Sequence, residues 1–87
     1  MYEKTTLDNG LRIVSVTMPN IQSVSISIYT GTGSRYEDAK ISGISHFIEH
    51  LLFRGTPKRP TSQDIAEAIE GVGGVLNAAT DREVTFY

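Results

Sequence analysis

His46, Glu49 and His50 are the side chains of this sequence whose types and spacing could do chemistry together. On a helix each residue turns about 100°, so His46 and His50 lie about 40° apart and Glu49 about 60° from His46. All three then share one face. Two imidazoles one turn apart can bind a single tetrahedral zinc ion at about 2.0–2.1 Å, leaving positions for a third ligand and a water. A neighbouring carboxylate that is not itself a ligand can take a proton from that water and return it to a leaving amine, the division of labour in metal-assisted peptide hydrolysis. Zn2+ is therefore the expected cofactor, with His46 and His50 as ligands and Glu49 as general base.

The elements around the trio can be read from periodicity. Ile44, Phe47, Ile48, Leu51 and Leu52 follow the i, i+3, i+4, i+7, i+8 pattern on the opposite side of the helix, where they are expected to pack into a core. Gly55-Thr56-Pro57 stops this helix. Upstream, Thr5 to Leu7 and Leu11 to Thr17 flank Asp8-Asn9-Gly10, whose Asn-Gly step favours the positive φ angles of a tight hairpin turn. Residues 21–30 alternate, with Val24, Ile26 and Ile28 on one face and Ser23, Ser25 and Ser27 on the other, the pattern of a half-buried strand. Downstream of the trio, Thr61-Ser62-Gln63-Asp64 reads as a capping box. It opens a second helix with Ile65, Ala68, Ile69 and Val72 as its buried stripe. Gly71, Gly73 and Gly74 allow that helix to end, and Val75 to Thr80 and Glu83 to Tyr87 read as two strands joined at Asp81-Arg82. The order predicts an α+β domain, a mainly antiparallel sheet with helices packed on one face.

H-x-x-E-H inverts the commoner H-E-x-x-H order and is the inverzincin signature. Around it the chain resembles the pitrilysin-type, mitochondrial-processing-peptidase-like zinc metallopeptidases over nearly its whole length. The resemblance runs through Leu7-Asp8-Asn9-Gly10-Leu11-Arg12 and Gly33-Ser34-Arg35-Tyr36-Glu37, then through Gly43 to Thr56 around the motif, and through Gly73 to Tyr87. It implies zinc ligation by His46 and His50, the base role for Glu49, and a peptide or protein substrate added as a strand beside Asn77 and Ala78. It also implies a third zinc ligand, a glutamate on another helix, farther along than the 37 residues that follow His50 (87 − 50). Glu83 is expected to support its strand by a hydrogen bond or salt bridge instead. On this reading residues 1–87 are the N-terminal portion of one larger pitrilysin-like catalytic domain, with self-association or pairing with a second family half expected. The alternative within the same resemblance is a non-catalytic homologous subunit or interaction module, the piece alone being inactive.

Composition narrows the remaining classes. Eight Lys and Arg against ten Asp and Glu give a net charge of −2 with both signs interspersed, so no electrostatic footprint for nucleic acid or an anionic membrane is present. Arg54, Lys58 and Arg59 read as a solvated loop. There is no cysteine, so any zinc must use nitrogen and oxygen ligands. Gly31-Thr32-Gly33 lacks the further glycine, lysine and helix of a phosphate loop. No 18-residue apolar run and no apolar or Arg-rich leader occurs, which leads to the expectation of a bacterial cytoplasmic protein; a mitochondrial matrix location follows only if a targeting peptide has been removed.

Overall fold

Local signals become elements here only where the chain also provides a backbone partner. The computed structural model describes all of residues 1–87. Glu3–Thr6 (β1) and Arg12–Ser15 (β2) pair antiparallel, with Glu3 opposite Ser15 and Thr6 opposite Arg12. The expected hairpin forms around Asp8-Asn9-Gly10, but Asn9 does not take the positive φ that the Asn-Gly step suggested. Leu7 N–H donates to the Leu11 carbonyl at 2.8 Å and Gly10 N–H to the Leu7 carbonyl at 2.9 Å, enclosing a three-residue loop. No non-glycine residue has positive φ, and only Gly10 in this loop takes it, at 90°. Asn9 instead uses its Oδ1 to accept from Leu11 N–H at 3.0 Å, the side-chain-to-backbone bonding that suits Asn to turns.

A second sheet holds Tyr29–Thr30 (β3), Ala79–Thr80 (β4) and Thr85–Phe86 (β5) in the order β3-β5-β4, all antiparallel. Ile28 and Tyr87 exchange both backbone bonds at 2.8 Å and lengthen the β3–β5 pairing by one row. Tyr29 and Phe86 stack across it with centroids 5.8 Å apart. The strand expected over 21–30 shrinks to its last residues. Residues 22–27 neither donate nor accept a backbone–backbone hydrogen bond, and Val24 and Ile26 are 84% and 80% exposed. Alternation alone cannot make a strand without a neighbour. The pair expected over Val75 to Thr80 and Glu83 to Tyr87 likewise shortens, to the last two residues of the first strand and to Thr85–Phe86 of the second.

Ile44–Leu51 forms α1 and Ser62–Glu70 forms α2. Helix α1 tightens after its last turn, with Phe53 and Arg54 N–H groups donating three residues back to His50 and Leu51 carbonyls, and stops ahead of Gly55-Thr56-Pro57. Helix α2 opens on the expected capping box: Thr61 Oγ1 accepts from Asp64 N–H at 3.1 Å and Asp64 Oδ2 accepts from Thr61 N–H at 3.2 Å. It closes in a Schellman motif, Gly74 N–H to the Ile69 carbonyl at 2.9 Å and Gly73 N–H to the Glu70 carbonyl at 3.0 Å.

The apolar stripes are not covered by this chain, which corrects the expected packing. Ile44, Phe47, Ile48, Leu51 and Leu52 stay 39–59% exposed, and Ala68, Ile69 and Val72 are exposed as well. Only three residues are buried, Gly33, Ser45 and Thr85, and none is a large hydrophobe. The accessible surface is 7781 Å² for 9.5 kDa, against about 5,000 Å² for a folded monomer of that mass. The radius of gyration is 15.6 Å, where about 12 Å is expected for 87 residues. No helix is long and apolar enough to cross a membrane.

Candidate metal centre

Helix α1 carries the trio and is held at both ends by groups distant in sequence. Its first residue follows Gly43, which has φ 87° and no side chain to cap with. The cap comes from Glu37, whose two carboxylate oxygens accept from the Gly43 and Ser45 N–H groups at 2.8 Å each. A carboxylate at this end also meets the positive pole of the helix. The Ser45 hydroxyl first, then the Ser45 and Gly43 N–H groups, hold the Glu37 carboxyl below its ordinary pKa. Glu37 is delivered there by a short 3-10 turn, Ser34–Tyr36, that hangs on the β4–β5 connection through Ser34 N–H to the Asp81 carbonyl and Arg35 N–H to the Arg82 carbonyl. Gly33 permits that approach, because a Cβ there would fall on the Asp81–Arg82 backbone. The connection is itself pinned by Asp81, whose Oδ1 accepts from the Glu83 and Val84 N–H groups at 2.9 Å, holding its carboxyl below the ordinary value. The sequence marked Asp81 only as part of a strand joint and Glu37 only as part of a matched segment, not as supports of the site. The only local signal was the short reach from Glu37 to the start of the helix.

The helix brings the two histidines together as their spacing predicted. Their Nε2 atoms lie 2.9 Å apart and the rings meet edge-to-face with centroids 4.5 Å apart. Two bonds of about 2.0–2.1 Å reach one common point from nitrogens that close at an angle of roughly 90°, and a separation nearer about 3.4 Å would open it to tetrahedral. A small rotation of either ring suffices, so the pair fits zinc.

Glu49 lies on the same side of α1 and is half-buried where the helix lies against β4. Its Oε2 accepts a hydrogen bond from the Thr80 hydroxyl, and its Oε1 has no partner in the chain. Beside His46 opens a shallow polar cleft of about 380 Å³, with Glu37, Thr80 and Asp81 in its walls and no apolar side chain. Nowhere in the chain do three His, Cys, Asp or Glu side chains converge to hold a metal ion. Glu83 pairs with the Arg35 guanidinium, both side chains being exposed, which is the supporting role expected for it. Asn77 and Ala78 precede β4, the outer strand of its sheet, with Asn77 Oδ1 accepting from Ala78 N–H at 2.9 Å.

A model of the family described as insulinase (peptidase family M16) matches residues 12–87. The chain is 50% identical over 84 residues to an uncharacterized zinc protease of Mycobacterium leprae, covering 97% of this chain and 19% of that protein. It is 45% identical over 83 residues to the beta subunit of the mitochondrial-processing peptidase of Dictyostelium discoideum, covering 95% and 18%. The crystal structure of a protease from Helicobacter pylori superposes with a TM-score of 0.88 at 36% identity, over 100% of this chain and 21% of that one. The chain thus spans about a fifth of the length of the relatives it matches.

Proposed function

This chain belongs to the insulinase family, peptidase family M16, and from that premise we propose that it supplies the zinc-binding helix of a metallopeptidase that hydrolyses peptide bonds in peptide or protein substrates. Relatives named zinc proteases support this reading. His46 and His50 hold zinc through Nε2, and the third ligand comes from residues outside these 87. Bound zinc supplies acidification of a water and polarisation of the scissile carbonyl. Glu49 Oε1, free of any protein partner, accepts the proton of the attacking water and passes it to the departing amine nitrogen. Water is the nucleophile on this reading, so no acyl-enzyme forms. Asn77 and Ala78, beside the outer strand β4, receive the substrate backbone.

The 2.9 Å approach of the two Nε2 atoms, with Glu49 on the same helix side, carries this reading. Residues 1–87 act as one portion of a catalytic domain, and the lack of a third converging ligand favours inactivity of the portion by itself. Stripping metal from the full-length protein with a chelator is expected to abolish cleavage of an unstructured peptide, and zinc to restore it. Cleavage that survives complete metal removal contradicts the proposal.

A further inference from the structure

We propose that Thr80 is the positioning residue for Glu49, an inference that rests on the reading of Glu49 as general base. Thr80 stands 31 residues from Glu49 in sequence, and its hydroxyl donates to Glu49 Oε2 across the α1–β4 contact. No other side chain or backbone group bonds this carboxylate. A glutamate has three rotatable bonds, and one oxygen tied to a fixed donor aims the other. Here the tied atom is Oε2, and Oε1 is left to face the attacking water.

The donor is fixed because β4 is fixed. Thr80 pairs with Thr85, and Thr85 pairs with Thr30, so three threonines stand in one row across the three strands. Thr85 has the most buried side chain, 2% exposed. Its Oγ1 donates to the Thr32 carbonyl at 3.0 Å, and the Thr30 hydroxyl donates to the Thr85 carbonyl at 3.1 Å. The β4–β5 connection is closed by the Asp81 N–H bond to the Val84 carbonyl at 3.0 Å and by the Asp81 side chain. This connection also carries, through Ser34 to Tyr36, the Glu37 cap of α1. One rigid piece of backbone therefore sets both the start of the catalytic helix and the orientation of its carboxylate. Partners one shell removed from the reacting atoms of such sites commonly matter by about 10- to 100-fold.

The test uses the full-length, zinc-loaded protein. Thr80→Val keeps the shape and removes the hydroxyl; it is expected to lower kcat by about 10- to 100-fold with KM, zinc stoichiometry and thermal midpoint close to wild type. Thr80→Ser, which keeps the hydroxyl, should restore kcat. In a Glu49→Gln background Thr80→Val should cause no further loss, because residues acting as a unit are not additive. Wild-type kcat in Thr80→Val overturns the inference, as does a change confined to KM. Loss of zinc or of the thermal transition in Thr80→Val, or a full second loss in the double variant, places Thr80 in the scaffold and overturns it too. If instead Glu49→Gln itself retains turnover, the base assignment has failed, an outcome distinct from Thr80→Val being silent while Glu49→Gln is dead.

Discussion

The isolated 87-residue chain is expected to associate with itself rather than persist as a compact monomer. The perturbation is simply expression of these residues alone. Its surface of 7781 Å² exceeds by about 2,700 Å² that of a folded protein of the same mass. Covering one third of that excess, about 900 Å² per copy, already reaches the roughly 800 Å² per partner of a standard protein interface. Suitable material is on the outside: Phe47, Ile48 and Leu51 along α1, and Val24 and Ile26 on a segment whose backbone groups have no partner in the chain. Unpaired backbone beside exposed β-branched residues templates strand addition. Light scattering over a concentration series should give a mass rising above 9.5 kDa, and urea should produce a shallow, non-cooperative transition, because little surface is newly exposed on unfolding. A mass fixed at 9.5 kDa at every concentration, with one sharp transition, refutes the reasoning.

Two other outcomes follow from the site and its supports. The 87-residue chain is expected to bind zinc no more tightly than about 1 μM, roughly −8 kcal/mol, since only two imidazoles converge; calorimetric titration checks this, and a nanomolar constant contradicts it. Glu37 has a folded pKa below the ordinary 4.5, so its contribution to α1 is present above that value and is lost as pH falls through the lower folded pKa. Circular dichroism of wild type minus Glu37→Gln should therefore show a helical difference at neutral pH that vanishes in acid, and a difference independent of pH contradicts the capping role.

Features set by near neighbours in sequence were legible, and those set across the chain were not. The i, i+4 spacing of His46 and His50 and the Thr61–Asp64 box depend on helical geometry alone, so both emerged with their partners named. The Arg35–Glu83 pair was anticipated only as to its kind. Thr80 as the partner of Glu49, and Glu37 as the cap of α1, depend on how the β4–β5 connection is folded back toward the helix, which no local spacing encodes. Residues 22–27 show the converse. Their alternation is strong, yet ladder bonds need a neighbouring strand, and the chain supplies one only from Ile28 onward. The apolar stripe of α1 was correctly assigned to one face but not covered, because packing is a property of what lies opposite.

The division of roles on α1 is tested most directly by measuring zinc content and peptide hydrolysis together for Glu49→Gln and His50→Ala in the full-length protein. Glu49→Gln should retain close to one zinc while hydrolysis nearly vanishes, since it removes the base and keeps the ligands. His50→Ala should lose both metal and activity. A Glu49→Gln protein that has lost its zinc yet still turns over substrate would contradict the assignment of base and ligands.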